Sequence, residues 1–252
     1  MPLRILPILR PLPFLLLGSL LSADSVSELK GALARLNGQE ALKASLEYQV
    51  WNRRGDAKKP VITEGRATTL VEDGPQGLRL SWSRGVLQAA AQEARAKSLD
   101  PEKRTPTRNA LEGLKAVDIC EYLNGAGDLL RNLELARLVS EKTEAWQGRP
   151  SRLLTFKVMP RLGPQERKYV KDLDATLQVW VWADGLPLAA ESQVHMKGRA
   201  FLVIGFEQWQ KEQFRFARAG NRLVVVQHVQ ETSGSGGGET SQSKTVMNLR
   251  LN

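Results

Sequence analysis

His195 and His228 are the only two histidines of this 252-residue chain, and Cys120 is its single cysteine. A metal site or a nucleophile–base pair needs converging ligands, and no histidine, cysteine or carboxylate spacing of the usual kinds occurs here. Each histidine falls within a predicted strand and reads as an ordinary strand residue. Cys120 lies in an apolar pattern and reads as a small buried hydrophobe rather than a nucleophile. The run Gly234-Ser235-Gly236-Gly237-Gly238 lacks the strand–loop–helix setting and the following Lys-Ser/Thr of a phosphate loop. Carboxylates are plentiful, yet none is set so that environment separates an acid from a base. No cofactor or metal is implied, and the expectation is a protein that is not an enzyme.

The tryptophans offer the remaining chemistry, which is binding. Trp51, Trp82, Trp146, Trp180, Trp182 and Trp209 all fall on predicted strands or their ends. Six such residues either fill a core or, in part, line a cavity for an apolar ligand. Trp180 and Trp182 are the first candidates for a lining, because one face of their strand runs from polar Asp174, Thr176 and Gln178 into these two rings. Trp82, Leu111 and Leu114 are the further candidate ligand-binding residues, at the edge of and within a predicted helical cover.

The elements that would position them follow from hydrophobic period. Val26, Leu29, Leu33 and Leu36 recur at helical spacing, with Asp24 and Ser25 as capping candidates. From Leu42 to Val50 the period drops to two, which is a half-buried strand, and further strands are predicted at Val61–Val71 and Leu78–Trp82. An alanine-rich stretch from Val86 and a three-residue repeat through Leu111, Leu114, Val117 and Cys120 predict about three short helices over 86–130. Seven strands then run to the end, among them Leu173–Ala183, which alternates Leu173, Ala175, Leu177, Val179 and Val181 against the face bearing the tryptophans. The glycine-serine tract is expected as a flexible hairpin tip. About ten strands with one helical insertion predict a mainly β (α+β) fold, a large curved antiparallel sheet or incomplete β-barrel covered by that insertion.

At the start of the chain, Arg4 and Arg10 precede an apolar run from Pro11 to Leu21 that ends in Ser22-Ala23-Asp24. A basic start, a short apolar stretch and a small residue make residues 1–23 read as a secretory signal peptide. Cleavage after Ala23 would leave residues 24–252 as a single domain. A net charge of +9 is spread over Arg53, Arg54, Lys58 and Lys59 at one hairpin, Arg149 and Arg152 at another, and Arg161, Arg167, Lys168 and Lys171 in a loop. Such a spread suits an anionic membrane surface or an acidic envelope protein, or simple solubility. It does not suit nucleic acid, which would need a basic face with stacking aromatics.

The order of these parts resembles the outer-membrane lipoprotein carrier (LolA-like) family and its lipid-binding relatives. The likeness rests on the leader, the helix around Leu29–Leu36, the helical insertion, Trp146-Gln147-Gly148-Arg149-Pro150 followed by Leu153–Phe156, and Val179-Trp180-Val181-Trp182-Ala183-Asp184-Gly185-Leu186-Pro187-Leu188. It implies an exported, periplasmic carrier whose half-barrel interior takes the acyl chains of a lipid or lipoprotein, with no chemistry performed. The chain departs from the family's pattern after Trp82, where an alanine-rich helix replaces further hairpin sequence. An envelope interaction or sensor module with no internal ligand is the competing expectation.

Overall fold

The computed structural model describes residues 18–56, 58–160, 162–164, 166–200 and 204–252. Most of the expected leader, residues 1–17, lies outside these, as does Arg161.

Helix α1 (Gly18–Arg35) buries Leu29, Ala32 and Leu33, with Leu36 buried just beyond its end. It starts earlier than the capping candidates implied, so Asp24 and Ser25 sit within its turns. Ser25 Oγ instead donates to Glu141 Oε1 at 2.8 Å. Strands β1 (Leu42–Gly55), β2 (Val61–Gly74) and β3 (Gly77–Ser81) follow as a meander. Four helices come next: α2 (Arg84–Leu99), α3 (Pro106–Gly113), α4 (Ala116–Leu123) and α5 (Gly125–Glu134). After them run β4 (Ala136–Trp146), β5 (Arg149–Val158), the single turn α6 (Glu166–Tyr169), β6 (Val170–Val181), β7 (Pro187–Ala200), β8 (Ile204–Ala219), β9 (Arg222–Gly236) and β10 (Glu239–Leu251).

All ten strands form one antiparallel sheet in the order β3-β2-β1-β10-β9-β8-β7-β6-β5-β4, and it does not close. The first and last strands of the sequence pair in its middle, with Ala44 opposite Leu251 and Leu46 opposite Leu249. The edges are therefore β3 and β4, and the four-helix insertion leads from one edge to the other. Side chains alternate between faces, so one face carries the helices and is called inner here.

Two apolar cores fill the space between helices and inner face. In one, Leu29 and Leu33 of α1 and Leu129 and Leu133 of α5 pack on Leu154, Phe156, Leu177 and Val179. In the other, Ile119 and Leu123 of α4 pack on Leu46, Val71, Val225, Met247 and Leu249. Each fully buried leucine contributes about 1.5–3 kcal/mol relative to exposure. Phe214 and Phe216 of β8 touch both cores.

Helices α2 and α3 are attached differently. No residue of α2 is buried, and its Ser83 cap accepts from Val86 N–H at 3.3 Å. Its Glu93 carboxylate in turn accepts from the free N–H groups of Thr107 and Arg108 at 3.1 and 2.9 Å, closing the start of α3. Helix α3 lies directly on the backbone of β2 at Gly65. A Cβ there would stand 2.7 Å from Ala110 N, so only glycine admits the helix.

Three expectations are corrected. The three-residue repeat through Leu111 to Cys120 is not one helix face. The extended backbone at Leu114 and Lys115 separates α3 from α4 and resets the phase. Helix α4 then turns Ile119 and Leu123 inward, leaving Val117 and Cys120 exposed. The glycine-serine tract is also ordered. Gly234, Ser235 and Gly236 pair with Ser241, Thr240 and Glu239, and only Gly237-Gly238 turns, both at positive φ.

Candidate functional site

The tryptophans do not lie where their strand pattern suggested. In β6 the inner positions are Ala175, Leu177, Val179 and Val181, so Trp180 falls on the outer face, away from the helices. There it is 8 % exposed and packs with Leu153, Ala189, Leu188 and Trp146, whose ring centroid is 4.7 Å away. Its Nε1 donates to Glu144 Oε1 at 3.2 Å. Trp182 follows the end of β6 in the turn to β7 and carries the Arg149 guanidinium 5.8 Å from its ring centroid. The reason is local. The outer sides of β4, β5, β6 and β7 meet in a small apolar patch, and large rings cover it where no helix does. Trp82 lies between β3 and α2, with its Nε1 buried and unpartnered. Leu114 packs against the α4 core and Leu111 is half-buried on α3. These five residues are not brought together.

A cleft does form elsewhere on the inner face, between α5 and strands β6 to β9. Its volume is about 100 Å³. Leu177 and Ala190 form its floor, Phe214, Phe216 and Val225 one wall, and Gly125 and Leu129 of α5 its roof. The close approach of α5 depends on Gly125, where a Cβ would meet Val225 Cγ2 at 3.2 Å and Leu223 O at 3.3 Å. Ser192, Glu212, Asp128 and Asn132 supply the polar lining.

Behind Glu212 stands His228, which is buried on the same face of β9. Its ring stacks on Phe214 at 4.6 Å between centroids, and its Nδ1 lies 3.0 Å from the Tyr122 hydroxyl of α4. Burial raises the Tyr122 hydroxyl far above the usual phenol range, and Asp118 and Glu212 add to the rise. The phenol therefore stays protonated and able to donate to Nδ1, which would put the imidazole proton on Nε2. That Nε2 is buried and makes no hydrogen bond, and Glu212 Oε1 is 3.7 Å away, beyond bonding range. Gln230 Nε2 donates to the same Glu212 oxygen at 2.9 Å. Burial also raises the Glu121 carboxyl of α4, with Asp128 the next cause.

Sequence reasoning took His228 as an ordinary strand residue and did not single out Tyr122 or Glu212. The available signal was Glu212 itself, a carboxylate at the same alternation phase as Phe214 and Phe216. His195 sits on the outer face, where its Nε2 is 2.7 Å from Glu207 Oε1 and both side chains are substantially exposed.

Six basic residues share one end of the sheet, while Arg149 and Arg218 stand at the other. Arg54, Lys58 and Lys59 at the β1–β2 turn, Arg167 and Lys168 in α6, and Arg199 at the end of β7 all stand at the strand ends opposite the β6–β7 and β8–β9 turns. Among the described residues no helix is long and apolar enough to cross a membrane.

The fold and cleft define a helix-covered open β-sheet with an internal apolar recess. No protein-family model, curated protein or solved structure matches the chain.

Proposed function

We propose that this protein is an exported, periplasmic binding protein or carrier for a ligand bearing an acyl or alkyl chain, and that it performs no chemistry on it. The observation that carries this reading is the apolar cleft under α5, placed at the seam of two cores and bridged by Phe214 and Phe216. Its volume of about 100 Å³ is below the roughly 300–1,000 Å³ of most ligand sites. A long chain thus enters only when α5 lifts from the sheet. Helix α5 opens on Gly125-Ala126-Gly127, and its lifting would have to release Leu129 and Leu133 from the core, a cost that the burial of the chain must offset. Burying a chain supplies about 0.8 kcal/mol per methylene, enough for tight binding without directional contacts.

Native mass spectrometry of protein purified from its own envelope tests the reading, with co-purified lipid or lipoprotein as the expected result. Ser192→Trp, which fills the half-buried mouth of the cleft, should remove the bound species while preserving the circular dichroism spectrum. Protein that carries no lipid and displaces no fluorescent fatty probe would overturn it.

Docking on an anionic membrane surface is a second reading, favoured by the common end shared by Arg54, Lys58, Lys59, Arg167, Lys168 and Arg199. A polybasic surface adds about 1 kcal/mol per lysine or arginine near such a membrane. Co-sedimentation with phosphatidylglycerol vesicles should fall on raising the salt and on Lys58→Glu with Lys59→Glu. Equal sedimentation with neutral vesicles would exclude it.

A further inference from the structure

The inner face is longer than its helical cover. Its apolar cores end at Met247 on β10 and Phe214 on β8, and the same face runs on with side chains of another kind. Asn52, Ser243, Thr232 and Gln210 stand side by side across β1, β10, β9 and β8, and the next row outward is Arg54, Ser241, Gly234 and Gln208. Arg54, Phe206, Gln208, Thr232 and Ser241 line an open recess of about 350 Å³ there, a size that small-ligand sites share. Its charged lining residues do not sum to one sign: Arg54 opposes Glu239, and Glu207 is paired with Lys197 at 3.2 Å. The outer side of the same strands is built otherwise, with Lys244 on Glu231 at 2.8 Å and Lys211 on Glu191 at 3.0 Å. The inner row of four holds no charge, only amides and hydroxyls that both donate and accept.

This recess meets the cleft at Glu212, one inner position from Gln210 along β8 and opposite Gln230 on β9. At that junction the buried His228 keeps an Nε2 N–H without a partner, 3.7 Å from Glu212 Oε1. Groups at that separation are too far apart to bond each other, yet one hydroxyl oxygen between them can accept from Nε2 and donate to the carboxylate. An unmet buried donor is costly, so a ligand that brings this acceptor gains by it. An ammonium has no acceptor to offer, and a carboxylate or phosphate would face Glu212. An uncharged hydroxyl serves both sides.

We propose that the head of the ligand is uncharged and rich in hydroxyls, a sugar or polyol. Its first hydroxyl would bridge His228 and Glu212, the rest would lie over Gln210, Thr232 and Gln208, and the chain would run beneath α5 over Leu177 and Ala190. This rests on the reading of the cleft as a chain-binding site and adds the chemistry of the head group.

Calorimetric titration of the full chain with four dodecyl probes, each below its micellar concentration, tests it: the maltoside, the octaethylene glycol ether, the amine and the carboxylic acid. The maltoside is expected to bind roughly tenfold or more tightly than the ether, which is also uncharged but has a single hydroxyl, and more tightly than either charged probe. Gln210→Ala with Thr232→Val should erase that preference by weakening the maltoside. His228→Phe, which keeps a ring against Phe214, should weaken it too, and the half-buried pair Gln210 and Thr232 keeps the comparison open should that variant fail to fold. Equal binding of maltoside and ether, or tighter binding of the amine or the acid, would overturn the head-group assignment and leave chain binding intact. Binding of none of the four would overturn both.

Discussion

Arg222 Nη2 lies 2.7 Å from Asp73 Oδ2, and the arginine side chain is 2 % exposed. Its Nη1 donates to Glu40 O at 2.7 Å, and Nη2 also reaches Asn124 Oδ1 at 3.3 Å. One guanidinium thus joins the start of β9, the end of β2, the approach to β1 and the junction between α4 and α5. A buried pair of this kind is a poor source of net stability, but removing one partner leaves a charge without compensation.

Asp73→Ala should therefore destabilise the protein by about 3–5 kcal/mol, whereas Arg222→Met with Asp73→Leu should recover most of that loss. Urea unfolding checks both, through midpoints that move at constant slope. A single Asp73→Ala variant as stable as the parent would show that Arg222 finds water instead.

Gly65 carries a separate prediction, because its missing Cβ is what lets Ala110 N approach the strand. Gly65→Val should cost about 1–3 kcal/mol through overpacking, and should expose α3 and α2 to proteolysis before the sheet unfolds. Limited proteolysis with mass mapping between residues 84 and 113 is the measurement.

Trp180→Ala should destabilise by about 3–5 kcal/mol, the usual cost of truncating a packed aromatic. It should leave any chain affinity of the folded protein unchanged, since the ring faces away from the cleft. Loss of binding at full stability would reverse that placement.

Glu191 predicts part of the acid limb of stability. Burial alone would raise its carboxyl, but hydrogen bonds from Gln193, Lys211 and Gln213 together hold it below the ordinary value. A group lowered in the folded state stabilises above its unfolded pKa of about 4.3, and that contribution disappears as pH falls through the lowered folded value. The stability advantage of the parent over Glu191→Gln should accordingly be full at neutral pH and shrink below about pH 4. Urea midpoints across that range measure it, and a constant difference would contradict the assignment.

The strands were legible because alternation is a property of neighbours. Leu42 to Val50 and Leu173 to Val181 each show which side chains share a face, and the sheet keeps both groupings. Which face receives the helices is not a local property, and Trp180 illustrates it. Its strand has two apolar faces at that end, so period alone could not choose, and the outer patch with Leu153 and Ala189 depends on strands far away in sequence. Cys120 fails for a different reason: the extended residues at Leu114 and Lys115 break a pattern that looks continuous when read as one helix. The cleft residues Glu212, Phe214 and Phe216 shared a legible face, but their partner Gly125 reaches them only through tertiary packing.

The pairing of β1 with β10 also sets the order in which this protein can be assembled. As the chain is synthesised, β1 to β3 and β4 to β9 can each gather while their facing edges stay bare, because the strand that fits between them is made after both. Among the described residues every other pairing in the sheet joins strands consecutive in sequence, so β1 with β10 is the one distant closure and the step that bears the largest loop-closure cost. Until that step β1 and β9 present unpaired backbone, the kind of edge on which chains aggregate. Losses to aggregation should accordingly fall mainly before Leu249 docks against Leu46, and slowing synthesis should change the yield without altering the stability of the molecules that finish.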